Sequence, residues 1–194
     1  RIRFSTPNAH TAWRVDTLFT KEPDTIEWLE GLGAGDVLLD VGANVGMYSI
    51  FAAKVRGIPV HAFEPESQNY AVLNQNIMLN EIDKSVAAYC VALSDRVGFD
   101  RLYLSEFVAG SSCHSWGAPL DFHYRPRGSP FAQGCFSTTI DAVVASGAMP
   151  VPSHIKIDVD GLEHAVLAGA AETLRNLLQG SAPAEIYTNL DEHW

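Results

Sequence analysis

Short apolar runs alternate with stretches of helical periodicity along the chain, and the runs are bounded by Gly, Pro or Asp. That alternation is the βαβ signature of an α/β fold with a mostly parallel sheet and helices on both faces. After an irregular start, Pro23-Asp24-Thr25 opens a helix with Ile26, Leu29 and Leu32 on one face, stopped by Gly33 and Gly35. A buried strand is predicted over 37–41, followed by Gly42-Ala43-Asn44-Val45-Gly46 and a helix over 47–55. A second strand covers 60–63 and ends on Glu64-Pro65. The next helix stripes Tyr70, Leu73 and Ile77 on one side before closing near Asn80. Further strands are predicted over 87–93, 155–159 and 184–187. Between the last two, Val166, Leu167, Ala170, Leu174 and Leu177 form the apolar face of one helix, with Asp160 and Glu163 at capping-box spacing for its start.

Residues 99–104 and 135–138 read as two strands flanking an excursion over 105–134. This insert is rich in Gly and Pro and carries Phe107, Trp116, Phe122, Tyr124 and Phe131. Structureless segments of this length in compact domains are usually functional. Two readings stand: a lid or specificity element that sets acceptor choice rather than cofactor affinity, or a small hairpin closed on itself.

Composition narrows the class without changing the elements. The 194 residues are 47% hydrophobic, which excludes disorder as the main state and suits one domain, 1–194, by the usual prior of about 150 residues each. No run approaches the roughly 20 apolar residues that span a bilayer, so no membrane partner is expected. The formal net charge is −10, which would repel a phosphate backbone and argues against nucleic acid as partner. Cys90, Cys113 and Cys135 are odd in number and lack zinc-site spacing; they read as reduced thiols in a cytoplasmic protein. A targeting segment, if the protein has one, would lie outside these residues.

The chemistry starts at the first strand-turn-helix. A Gly-rich turn there lets a ligand approach bare backbone at a helix N-terminus. Residues 40–46 match neither the dinucleotide pattern G-x-G-x-x-G nor a phosphate loop, and no Lys follows Gly46 within reach. Asp40 lies inside an apolar strand, where its burial costs several kcal/mol unless it meets a cation or donors; an ammonium ligand would satisfy it. An ion-pair partner within the protein is the other reading. Glu64, at the end of the second strand, is placed to accept both hydroxyls of a ribose, or is a surface charge before Pro65. A ligand with a ribose, a positive charge and no phosphate fits S-adenosylmethionine better than NAD or ATP. In an open sheet wound out from the first strand, the first and fourth core strands are neighbours, so Asp40, Gly42 and Asp158 should converge at the switch point.

The runs DVLLDVGANVGMYSIFAAK (36–54), AFEP (62–65), ALSD (92–95), TTID (138–141) and IKIDVDGLEHAVLAG (155–169) resemble the FkbM family of S-adenosylmethionine-dependent methyltransferases, over most of residues 24–170. The resemblance implies a class I methyltransferase, Rossmann-like fold. It implies that Gly42, Ala43, Asn44 and Gly46 form the cofactor loop, with Tyr48 and Ser49 of the same block among the cofactor-binding residues. Glu64 would be the ribose acceptor, Ser94 and Asp95 the adenine side, and Asp158 would face the methionine end or the methyl acceptor. The family commonly has Glu where this chain has Asp160. Its fold closes with an antiparallel strand pair that the sequence does not reach, so a missing C-terminal segment is expected.

The leading expectation is O-methylation of a hydroxyl on a small molecule such as a sugar or a polyketide. Catalysis would be mainly positioning, with Asp158 as first candidate base and His114 and His123 of the insert as second. Glu163 reads as a cap and His164 as a surface residue. Side chains at 158, 160, 163 and 164 diverge on a strand-turn-helix, so no required metal is expected. The alternatives are a catalytically degenerate binding domain of the same fold and, against the missing glycine pattern, an NAD-linked oxidoreductase.

Overall fold

Every position is buried in β1 (Leu38–Val41) and β8 (His154–Ile157), as in central strands of a sheet covered on both faces. A computed structural model, describing residues 1–121, 123–179 and 185–188, places them side by side in a parallel sheet of order β3-β2-β1-β8-β9. The others are β2 (Val60–Phe63), β3 (Val86–Tyr89) and β9 (Glu185–Thr188). All four pairings are parallel. Alternation along β1 assigns its side chains to two cores. Leu38 packs with α2 (Pro23–Gly31), α3 (Met47–Phe51) and α4 (Ser67–Asn80). Leu39 and Val41 pack with α5 (Ile140–Ala145), α6 (Glu163–Ala168) and α7 (Ala171–Gln179). The parallel sheet with helices on both faces is the arrangement expected for a class I methyltransferase. The predicted fifth strand appears as β9; its expected first residue, Ala184, and Phe122 of the insert lie outside the described residues.

Several expected elements take a different course. The start is not irregular. Asn8 caps α1 (Ala9–Asp16) in a reciprocal box with Thr11, a short helix whose only signal was Asn8-x-x-Thr11. The helix expected over 47–55 widens into a π-helical turn at Ala52–Arg56. The strand expected over 87–93 breaks after Tyr89, and Ala92–Leu93 (β4) joins a second sheet of order β4-β7-β5-β6. That sheet contains the two predicted strands, longer than expected: β5 (Gly98–Leu104) and β7 (Phe131–Thr138), paired antiparallel, with β6 (Ser115–Trp116) beside β5. The insert is therefore in part a hairpin of its own, with a bridge between Leu120 and Pro126. The single helix after Asp160 is two, α6 and α7. Its expected capping box does not form: Leu162 is the N-cap, and Glu163 turns back to accept the N–H groups of Val159 and Gly161. Asp160 has a left-handed backbone, φ 54°, and sends its carboxylate elsewhere.

Candidate active site

Parallel register decides the fate of the first buried charge. Asp40 on β1 lies opposite Lys156 on β8. Lys156 Nζ is 3.4 Å from Asp40 Oδ1, Ser49 donates to Asp40 Oδ2 at 2.5 Å, and both members of the ion pair have 1% of their side chain exposed. Asp40 therefore needs no ammonium from a ligand, and it does not reach the cavity. This corrects the expectation of direct cofactor contact for Asp40 and for Ser49, whose hydroxyl is spent on it. Lys156 is also 3.3 Å from Asp158 Oδ2. Burial alone would lower its pKa, but Asp158, Asp40 and Glu22 together hold it above the ordinary lysine value. Lys156 was missed in the sequence, although a lysine in an apolar strand is as anomalous there as Asp40.

The turn after β1 is built for close approach. Gly42 has φ 77°, and a Cβ there would fall 2.0 Å from the carbonyl oxygen of Asp158. Gly46, φ 85°, caps α3 and leaves no room for a Cβ against Leu73. Its position beneath the loop makes its role one of shape. Asn44, also left-handed at φ 51°, donates its backbone N–H to Glu64 Oε2 at 2.7 Å. Glu64 Oε1 accepts from the Glu66 N–H at 2.9 Å. Burial pushes the Glu64 carboxyl up to about 7, while the N–H groups of Glu66 and Asn44 pull the other way.

A cavity of about 310 Å³ opens over the strand tips, at the lower end of the roughly 300–1,000 Å³ usual for small-molecule sites. Of the predicted residues, Gly42, Asn44, Glu64, Ser94, Asp95, His114 and Asp158 line it. Phe63, Val91 and Leu93 supply apolar wall near Ser94, which donates to Asp95 at 3.0 Å. A smaller hollow adjoins it, with Ala43 and Tyr48 in its wall; the Tyr48 hydroxyl donates to Glu22 at 2.7 Å. Asp158 borders both spaces and keeps 29% of its side chain exposed.

The insert is already seated on this site. Asn44 Nδ2 donates to the Ser111 carbonyl at 2.8 Å, and Asn69 holds both Ser111 O and the Gly110 N–H. Asp160 Oδ2 accepts the Cys113 N–H at 2.6 Å. Ser112, His114 and Trp116 complete the cavity wall. His114 Nδ1 accepts the Ser105 N–H at 3.2 Å, so the neutral ring carries its proton on Nε2, which is buried without a partner. Burial, with Arg127 and Arg14 nearby, lowers its pKa to about 4. At neutral pH this ring donates, and it is a poor base. His123 is exposed and outside the cavity wall. Among the described residues no group of three or more His, Cys, Asp or Glu is placed to hold a metal ion, and no helix is long and apolar enough to cross a membrane.

Residues 40–182 match the family described as Methyltransferase FkbM domain. The chain belongs to the FkbM methyltransferase family. Over 72 residues this FkbM domain is 40% identical to the 31-O-demethyl-FK506 methyltransferase FkbM of Streptomyces tacrolimicus, covering 37% of this chain and 27% of the relative. Over 176 residues it is 28% identical to the hexuronic acid methyltransferase AglP of Haloferax volcanii, covering 90% of this chain and 66% of that protein. The FkbM domain thus spans less than two thirds of either curated relative. Among solved structures, a precorrin-6y C5,15-methyltransferase from Geobacter metallireducens superposes over 88% of this chain and 62% of its own, with 13% identity and a TM-score of 0.48.

Proposed function

We propose that this FkbM domain binds S-adenosylmethionine and transfers its methyl group to a hydroxyl of a small molecule, a sugar or polyketide-type acceptor. The observation that carries the reading is Glu64. Its carboxylate is fixed by two backbone N–H groups at the tip of β2, on a cavity that runs to Asp158 at the tip of β8. Each oxygen accepts one bond and keeps lone-pair capacity for a ribose hydroxyl. The apolar wall by Ser94 and Asp95 suits an adenine, so the residues present fit the cofactor. When bound, the cofactor supplies a methyl group on a sulfonium, ready for displacement. The relatives' names, an FK506-type demethyl compound and a hexuronic acid, support a hydroxylated acceptor.

The protein's own work in this reading is orientation and proton removal. Holding two reactants in line can supply roughly 7–11 kcal/mol of a barrier. Asp158 is the acid side chain open to the cavity at the switch point and takes the hydroxyl proton. Lys156 fixes it in place. His114, a neutral donor, is assigned to orientation of a ligand oxygen. Titration with S-adenosylmethionine tests the cofactor. Glu64→Ala is expected to weaken binding by about 1.5–3 kcal/mol, the worth of a charge-assisted hydrogen bond, without unfolding the domain. Saturable binding of NAD with none of S-adenosylmethionine would overturn the reading, and absence of methyl transfer to every hydroxylated acceptor would reduce it to ligand binding.

A further inference from the structure

The cavity and its neighbouring hollow meet at a junction bordered by Gly42, Asn44, Asp158, Arg14 and Lys21. The last two come from α1 and the turn after it, outside residues 40–182. Their charge is out of keeping with the surroundings, because the cavity wall otherwise carries the acids Glu64, Asp95, Asp158 and Asp160. Arg96, the other cation on that wall, is turned to Asp100 and to the face of Trp116. Lys156 is enclosed between Asp40 and Asp158. Arg14 is different. Its one hydrogen bond to the protein among the described residues runs from Nε to the Gly110 carbonyl at 2.6 Å, and the carboxylate of Asp160, whose charge it feels, is not at ion-pair distance from the guanidinium. Lys21 pairs with Glu22, whose other oxygen is taken by Tyr48.

A nucleoside anchored at Glu64 must send whatever hangs from its ribose toward this junction. On the cofactor reading, that appendage is an α-amino acid with one carboxylate and one ammonium. We infer that Arg14, assisted by Lys21, binds the α-carboxylate of the cofactor's amino-acid tail. The guanidinium has four further N–H donors in a planar fork that matches a carboxylate. The N-terminal helix is then part of the cofactor site, and its hold on Gly110 joins that site to the insert.

The inference rests on the S-adenosylmethionine reading, and a matched pair of ligands separates the two. S-adenosylhomocysteine carries the tail; methylthioadenosine keeps the nucleoside and ends at the sulfur. By calorimetric titration the parent should bind the first more tightly. Arg14→Gln should lower the affinity for S-adenosylhomocysteine roughly 10- to 100-fold and leave methylthioadenosine within about twofold, so that the preference collapses. Lys21→Gln, more exposed and already paired, should cost roughly 2- to 5-fold on the same ligand alone. A parallel loss for both ligands in Arg14→Gln would overturn the inference, since Arg14 would then act only by seating the insert. Unchanged affinity for both would overturn it too, and would leave Arg14 to an anionic acceptor. If the parent binds neither ligand, the cofactor reading itself fails.

Discussion

Asp40, fully buried beneath the site, and Asp160, half-buried on its wall, are answered by different parts of the molecule. Asp40 meets Lys156 through the register of two neighbouring strands, inside a sheet that is buried on both faces. Among the described residues Asp160 meets no cation at hydrogen-bond distance. Its partner is the backbone N–H of Cys113, 47 positions away in the insert, and burial with the nearby charge of Asp158 pushes its carboxyl up to about 6. The first arrangement is part of the scaffold. The second is a clasp between scaffold and insert, and it is weaker because one backbone dipole replaces a full charge.

The contrast breaks most visibly at Lys156. Replacing it with Met leaves Asp40 buried beside only a serine hydroxyl, and removal of one partner from a buried pair costs about 3–5 kcal/mol. Denaturant unfolding of Lys156→Met should show a loss of that size, and the double variant with Asp40→Asn should recover much of it. A loss under about 1 kcal/mol in the single variant would mean that Asp40 is neutralised in some other way.

The clasp should give a smaller and more local effect. Asp160→Ala removes the acceptor of the Cys113 N–H, worth about 1–3 kcal/mol, but it also removes a buried charge that burial disfavours. Hydrogen exchange should speed up across the first part of the insert, around residues 109–117, while amides of β1 and β8 keep their protection. Equal acceleration in both regions would show that insert and sheet open as one unit.

The two regions also differ in how far they could be read from the sequence. In the parallel sheet, apolar runs and the turns after them place β1, β2 and β8 within a residue or two, and order alone brings Gly42 and Asp158 together. Asp40 was visible as an anomaly, yet its answer lay in Lys156, because register is a tertiary fact that neither strand declares alone. In the insert region the decisive contacts run from Asn44, Asn69 and Asp160 to backbone groups at 110–113. Any residue offers a backbone carbonyl or N–H, so no side-chain pattern at 110–113 announces them. The same holds for the break at Cys90, where the chain leaves one sheet for the other with its apolar pattern uninterrupted. Arg14 belongs to a helix too short to show a stripe.

The smallest net effect on stability is expected at Glu64, where scaffold and loop share one carboxylate. With its pKa raised to about 7 from an ordinary value near 4.5, the folded state holds this proton more tightly than the unfolded chain does. Its contribution to stability therefore grows as pH falls from about 7 to 4.5 and is lost as pH rises through 7. His114, depressed to about 4, works against it: the unfolded imidazole protonates near 6.5 while the folded one stays neutral, so acidification over nearly the same window destabilises the fold. Each displacement is worth about 3 kcal/mol, and because they oppose, a melting temperature would report little. Cofactor affinity isolates Glu64. If Glu64 accepts from the ribose as proposed, the ionised carboxylate is the form required, so binding of S-adenosylhomocysteine should weaken as pH falls below about 7, by up to roughly tenfold per unit. Glu64→Gln, which cannot ionise, should bind more weakly at pH 8 and show a flat profile down to pH 5.5. A flat profile in the parent would mean that the carboxylate does not meet the ribose in its charged form, and that Glu64 serves only to hold the Asn44 turn in shape.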